Sequence, residues 1–270
     1  MTEINWEQET KEISTWMKNY LVKANKDGYI IGLSGGLDSA VVAVLAVKAV
    51  GKENIWTTFL DCDSNPQDEK DAVLIAHKLD VPFTHIDIKT SYEETIDCLP
   101  ICPSISQITL DNIKARLRMI FLYTIAGEKN YLVAGTSNLS ELELGYFTKY
   151  GDGGVDIEPI GNYYKTEIKK IAQELKIPSS IIEKAPSAGL HVGQTDEKDL
   201  GLSYEQIDPI LHWIKTGEET KTNIMNVPEI INTYGKDNIK KIIKIRETGS
   251  HKNNLPPRYK RKNETIFSNS

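Results

Sequence analysis

The chain has 270 residues, 40% hydrophobic and 26% charged, with a net charge of −6 and a pI near 5.5. That composition is ordinary for a globular protein with a sizeable core, and the acidic balance argues against a nucleic-acid footprint. No apolar run reaches the roughly 18 residues of a membrane span, and the acidic start "MTEINWEQETKE" has no apolar signal region, so a cytoplasmic location is expected.

Taken in chain order, Ile13, Trp16, Met17, Tyr20 and Leu21 recur at helical spacing and predict an amphipathic helix over the first 25 residues. "YIIGL" (29–33) reads as a buried strand and 38–50 as a helix. "NIWTTFL" (54–60) is a strand, 66–80 a helix opened by Pro66, and "PFTHIDI" (82–88) a third strand. Residues 111–128 form a long helix, "YLVAGT" (131–136) a fourth strand and 165–176 another helix. The long helix carries Ile113, Leu117, Ile120, Phe121, Tyr123 and Thr124 around much of its girth, which predicts burial on more than one side. Beyond residue 200 the pattern is helical, over 203–215, 227–234 and 236–247, and the tail from His251 is polar and basic.

Strand–helix alternation implies a doubly wound, mainly parallel Rossmann-like sheet with helices on both faces. Ligands in such sheets bind beyond the carboxyl ends of the strands. No repeat, low-complexity tract or interdomain linker interrupts the chain, so residues 1–270 are expected to form one domain. Cys62, Cys98 and Cys102 lack the spacing of a zinc site and are expected as reduced thiols.

The stretch "GLSGGLDSA" (32–40) follows the first strand and opens the next helix. Gly35 and Gly36 permit a tight turn and a close ligand approach. The helix behind them offers free N–H groups and a positive dipole end, while Ser34 and Ser39 add hydroxyls, a set suited to pyrophosphate. A Walker loop would place lysine just before its final hydroxyl residue; here Asp38 stands there. A carboxylate beside phosphates implies a cation between them, so Asp38 reads as a Mg²⁺ ligand. The competing reading is a plain helix start capped by Ser34 or Asp38.

"SGGLDS" resembles the phosphate loop of the N-type ATP pyrophosphatases. "NIKARLRM" (112–119), "LVAGTSNLSELELGYFTKYGDGGVDIEPIGNYYKTEI" (132–168), "EKAPSAGLHVGQTDEKDLGLSYEQID" (183–208) and "HK" (251–252) follow in order. Together they resemble the ammonia-dependent NAD synthetases, from about residue 10 to 258. The resemblance implies an adenine nucleotide alpha hydrolase-like fold. It divides the chain into an ATP pyrophosphatase core (10–180) and a helical C-terminal part (185–270) with a lid loop and a basic tail. It further implies a ligase that adenylates the nicotinate carboxylate of nicotinic acid adenine dinucleotide with MgATP. Ammonia then displaces AMP to give NAD.

Residue by residue, the resemblance gives ATP to Gly32, Leu33, Ser34, Gly35, Gly36, Leu37, Asp38, Ser39, Thr136, Lys165 and Ser187. Among these, Asp38, Lys165 and Ser187 are the implied catalytic residues. Asp38 and Glu141 match the Mg²⁺ ligands. Arg116, Lys149, Asp152, Asp156, His251 and Lys252 match dinucleotide-binding positions. A homodimer is implied, with the dinucleotide site near the subunit interface. No glutaminase portion is visible, so free ammonia, or a separate partner, is the expected nitrogen source.

Two positions depart from the family pattern. Gly189 stands where an aspartate is usual, and Asn253 where an arginine is usual; Arg258, Lys260, Arg261 and Lys262 follow downstream. Both departures fall on the acceptor side, which leaves open an amide ligase acting on a related pyridine carboxylate. A tRNA-modifying ligase or thiolase of the same superfamily would share the loop, as would a non-catalytic nucleotide-binding module. The acidic pI and the cysteine pattern argue against a tRNA ligase or thiolase, and the set Asp38, Glu141, Lys165 against a module.

Overall fold

The computed structural model describes residues 4–99, 105–191, 193–220 and 223–259. Cys102, Lys260, Arg261 and Lys262 lie outside them. The elements are α1 (Trp6–Lys23), β1 (Gly28–Gly32), α2 (Leu37–Val50), β2 (Ile55–Asp61), α3 (Pro66–Leu79), β3 (Phe83–Asp87), α4 (Lys89–Asp97), α5 (Gln107–Lys129) and β4 (Tyr131–Val133). There follow α6 (Leu139–Leu144), α7 (Lys165–Glu174), α8 (Ser179–Ile182), α9 (Asp196–Leu200), α10 (Tyr204–Thr220), α11 (Pro228–Tyr234) and α12 (Lys236–Gly249).

The four strands form one sheet in the order β3-β2-β1-β4, every pair parallel. Alternation along β1 sorts its side chains between two cores. Tyr29 and Ile31 face a core built with α1, α2, α3 and α7, whereas Ile30 faces Val133 and Ala126 beneath α5. This is the doubly wound arrangement that strand–helix alternation predicts. Helix α2 is apolar around its circumference because α1, α7 and the sheet cover it on several sides.

In α1, Ile13, Met17 and Leu21 are buried, but Trp16 and Tyr20 stay largely exposed, with ring centroids 5.9 Å apart. The buried side of α1 also carries Thr10 and Ser14, whose Oγ donates to the Leu45 carbonyl of α2 at 3.3 Å, and the aromatic pair lies outside it. In α5, none of the six residues Ile113, Leu117, Ile120, Phe121, Tyr123 and Thr124 is fully buried, and Ile120 is 51% exposed. The helix is nonetheless covered on two sides, Tyr123 packing on the core of Ile30 and Val133, and Leu117 and Phe121 on that of Leu60 and Ile88.

Strand β4 is shorter than "YLVAGT". Its pairing with β1 stops at Val133, opposite Ile30, because β1 ends two residues later and turns into α2. The next residue, Ala134, bridges Ile157 instead. β1 and β4 thus part at the point where strand order reverses, which opens the crevice expected at such a switch point. Helices α4 and α6 do not show in the periodicity of the sequence; both are short, α4 following β3 directly and α6 following the loop after β4.

A further core joins the C-terminal helices. Tyr204, Ile207, Ile210, Leu211, Ile239 and Ile242 are buried in it with Leu144 of α6. The C-terminal helices are thereby packed onto the elements that frame the crevice, α6 and α7.

Candidate active site

The cavity at this crevice is lined by Gly32 to Ser34 and Gly36 to Ser39 after β1, by Thr58 to Leu60 of β2, and by Ala134 to Thr136 after β4. Gly35 has φ +76°, and a methyl there would lie 2.0 Å from the Asp68 carbonyl oxygen. Glycine is required twice over, by the left-handed backbone and by the close approach of α3. The N-cap of α2 is Gly36, with no side-chain cap, so neither Ser34 nor Asp38 caps the helix. Ser34 and Ser39 brace the loop instead: Ser39 Oγ lies 3.1 Å from Ser34 Oγ and donates to the Gly36 carbonyl at 3.1 Å. The amides at the start of α2 are left without a side-chain cap and the helix dipole points at the cavity, a ready anion site.

Asp38 is turned inward. Its carboxylate accepts from Asn138 Nδ2 at 3.2 Å and from Lys165 Nζ. Lys165 Nζ also lies 3.4 Å from Glu141 Oε1. Glu141 is held by a capping box on α6: Asn138 Oδ1 accepts from the Glu141 amide, and Glu141 Oε2 from the Asn138 amide. One asparagine therefore fixes both carboxylates. Lys165 is 4% exposed. Burial alone would depress its ammonium, but Asp38, Glu141 and Asp196 outweigh burial and hold it above the ordinary lysine range. Burial pushes the Glu141 carboxyl up to about 8, opposed by Lys165 and reinforced by Asp38 and Asp196.

The backbone of Lys165 is fixed from the C-terminal helices. Asp208 of α10 accepts from Ser140 Oγ at 2.5 Å and from the Thr166 amide at 2.9 Å, and Ser140 Oγ accepts from the Lys165 amide at 2.9 Å. This is what the "SYEQID" stretch does: it locks α7 to α6 so that Lys165 meets the two carboxylates.

A lid covers the cavity with Pro186, Ser187, Ala188, Gly189, Leu190 and Asp196. Lys184 at its root donates to Asp68 and Asp71, each at 2.6 Å, and to the Gly35 carbonyl at 3.1 Å. Lys114 of α5 donates to the Leu190 carbonyl at 2.9 Å, and His191 Nδ1 lies 3.1 Å from Asp111 Oδ2. Gly189 has φ +60°, and a Cβ there would face Asp68 Oδ2 at 3.8 Å. A carboxylate at this position would meet the acidic pair that Lys184 neutralises.

The ATP-side residues expected from the sequence are thus gathered in one place. Thr136, Glu141, Lys165 and Ser187 line the same cavity as the glycine-rich loop. The acceptor-side set is arranged differently. Asp152 lines the cavity and accepts from the Thr148 amide at 2.9 Å. Asp156 is pinned to the end of β4, accepting from the Val133 amide at 2.8 Å and from Tyr123 Oη at 3.2 Å. Arg116, Lys149, His251 and Lys252 form a separate cluster outside the lining. Arg116 donates to the Lys149 carbonyl at 3.4 Å, Lys149 to the carbonyls of His251 and Asn254 at 2.8 Å, and Lys252 to those of Gly145 and Phe147. Asn253 donates to the Leu142 carbonyl at 2.7 Å. The aromatic loop is divided: Tyr146 lines the cavity, Phe147 packs under Lys252, and Tyr150 is exposed.

The sequence pattern assigns no role to Arg118, Lys184 and Asp196, which line the cavity, or to Asn138 and Tyr204, which stand behind it. Asn138 and Tyr204 lie inside recognisable motifs, but a capping asparagine and a buried tyrosine look the same in sequence as structural ones. Asp38 and Glu141 face one ammonium and so face one point. Hard oxygen donors there, with phosphate oxygens and water completing the shell, suit a divalent cation. No cluster of three or more such ligands exists among the described residues, so a cation would depend on the nucleotide for further ligands.

A parallel sheet with an anion loop after its first strand, at a switch point lined by paired carboxylates and a buried lysine, defines a Rossmann-like protein of the adenine nucleotide alpha hydrolase-like class. Within that class, the chain belongs to the NAD synthase family, whose model matches residues 9–256. It is 47% identical over 219 residues to an NH(3)-dependent NAD(+) synthetase of Carboxydothermus hydrogenoformans, covering 80% of this chain and 88% of that protein. It is 39% identical over 256 residues to the Methanosarcina acetivorans enzyme of the same name, covering 94% and 98%. Among solved structures it resembles an NMN synthetase from Francisella tularensis (TM-score 0.82, 30% identity, 95% and 99% coverage). It also resembles the NH3-dependent NAD synthetase of Campylobacter jejuni (TM-score 0.80, 29% identity, 95% and 100% coverage).

Proposed function

We propose that the chain is an ammonia-dependent NAD synthetase, a ligase that adenylates the nicotinate carboxylate of nicotinic acid adenine dinucleotide and amidates it with free ammonia. The observation that carries this reading is the convergence of Asp38, Glu141 and Lys165 behind the anion loop. A carboxylate does not lose oxide near neutral pH, so it must first gain a better leaving group. ATP supplies one by transferring its adenylyl group, with pyrophosphate leaving and AMP departing after ammonia attacks. The chain's task is to position the phosphates and neutralise their charge. The loop amides and hydroxyls of Gly32 to Ser39 orient the phosphates. Lys165 places a positive charge beside them, and Thr136 and Ser187, which line the same cavity, offer hydroxyls. Mg²⁺, held by Asp38 and Glu141, would supply charge neutralisation at the departing pyrophosphate. The lid excludes water, which would otherwise hydrolyse the activated carboxylate.

On the acceptor side, Asp152 would meet the dinucleotide in the cavity, with Arg116, Lys149, His251 and Lys252 binding its far end and Asp156 bracing the end of β4 behind it. Arg116 of that cluster lies on an exposed stripe of α5 together with Ile120 and Thr124. This supports a homodimer in which a second copy covers α5 and completes the dinucleotide site; light scattering on the purified protein tests it. We read residues 1–270 as one domain, with the ATP core at 10–180 and the helical part at 185–270. No helix among the described residues is long and apolar enough to cross a membrane, which agrees with a cytoplasmic enzyme.

A second reading, amidation of a smaller pyridine nucleotide, is favoured by Gly189, by Asn253 and by the likeness to an NMN synthetase. One mass-spectrometric assay separates the two. Purified protein with MgATP, ammonium and nicotinic acid adenine dinucleotide should yield NAD, AMP and pyrophosphate in equal amounts. Turnover with the mononucleotide alone would replace the first reading with the second. No AMP with either acceptor would sink both.

A further inference from the structure

Asp196 stands at the neck of the lid, where its amide donates to the Pro186 carbonyl at 3.0 Å. It lines the cavity with Asp38, Glu141 and Lys165 and is 2% exposed. Its Oδ2 accepts from Tyr204 Oη at 3.0 Å, but its Oδ1 is buried without a hydrogen-bond partner. A half-satisfied buried carboxylate is costly, and the fold tolerates it here beside a cation. That cation is close. Lys165 Nζ lies 5.6 Å from the centroid of the Tyr204 ring, the same ring whose hydroxyl holds Asp196, and Asp196 lies within electrostatic reach of Lys165. The ammonium is now spent on Asp38 and Glu141. A divalent cation arriving with ATP would compete for those same oxygens, and Lys165 would then need a new acceptor while remaining in the site.

We infer that Asp196 is a positioning residue for the ATP half-reaction: its unpartnered oxygen receives the Lys165 ammonium when a cation carrying ATP takes Asp38 and Glu141. Because Asp196 belongs to the lid, the same exchange ties lid closure to cation loading. The inference rests on the reading of Asp38 and Glu141 as cation ligands, and the test separates the two. Affinity for α,β-methylene-ATP, which resists cleavage between its α and β phosphates, is measured by calorimetry with Mg²⁺ and with EDTA. Wild type should bind more tightly with Mg²⁺. Asp196→Asn should weaken the Mg²⁺ form about tenfold, the loss of one charged hydrogen bond, and leave the EDTA form unchanged. In a Lys165→Gln background the substitution should have no further effect, because Asp196 acts through Lys165. Equal weakening in both forms would mean a merely structural role and would overturn the inference. So would an unchanged Mg²⁺ form, or additive effects with Lys165→Gln. Wild type indifferent to Mg²⁺ would remove the cation reading and this inference with it. Asp196→Ser, smaller and neutral, gives the same readouts should the asparagine variant not fold.

Discussion

The sides proposed for ATP and for the acceptor are built on opposite plans. On the ATP side, side chains from four separate segments converge on one buried point, and their charges face one another across a cavity. On the acceptor side, Lys149 and Lys252 spend their ammonium groups on backbone carbonyls, binding the segment 251–254 to the loop 145–149. The first plan concentrates charge in a place of low dielectric, where each group is worth most and costs most. The second distributes charge along a partly exposed surface, where each contact contributes less. The difference teaches where substitution is tolerated. Of the two departures from the family pattern, Asn253 lies outside the cavity that holds the converging carboxylates, whereas Gly189 lines it from the lid.

The comparison can be broken most sharply at Lys165. Lys165→Met should lower kcat by about 10²–10³, the scale of removing one preorganised charge from a transition state. The KM for the dinucleotide should hardly move; a KM effect larger than the kcat effect would erase the distinction between the two sides. Gly35→Ala comes next. Its methyl would collide with the Asp68 carbonyl and its φ is +76°, so urea denaturation should show a loss of about 1–3 kcal/mol, with nucleotide affinity lost as well. On the other side, Lys252→Met should raise the KM for the dinucleotide about tenfold, the worth of a charged hydrogen bond, with the KM for ATP unchanged. An equal rise in both constants would show that the 251–254 segment supports the ATP cavity as well.

The smallest effect concerns Glu158, which sits behind both sides and accepts from the Ser137 amide at 3.2 Å. Burial pushes its carboxyl up to about 8, with Glu141 and Asp152 adding and the Ser137 amide opposing. A carboxyl raised in the folded state favours folding fully only below its ordinary value. That contribution is lost as pH rises through 8, so stability should fall between pH 5 and 8. Glu158→Gln should flatten this slope. Denaturation at pH 5 and pH 8 measures it, and a parallel slope in the variant would remove Glu158 as its cause.

Much of this was legible in the chain itself. The alternation of apolar strands with helical periods points to a parallel sheet with two covered faces, because the central strands β1 and β2 bury both sides and the crossovers must run over them. The glycines of "SGGLDS" read as an anion loop at a helix start, and the carboxylate at Asp38 is what prompts the proposed cation. What the sequence could not decide lies in contacts between distant segments. That Asn138 aligns both carboxylates, that Asp208 locks Lys165 through Ser140, and that Asp196 is left half-partnered depend on how α6, α7, α10 and the lid pack. Residues far apart in the chain become neighbours only through that packing. Periodicity likewise could not tell that β4 stops at Val133 or that Trp16 and Tyr20 stay outside. Local pattern sets which residues are able to face a core, but only the finished tertiary arrangement determines where a neighbouring element is present to bury them.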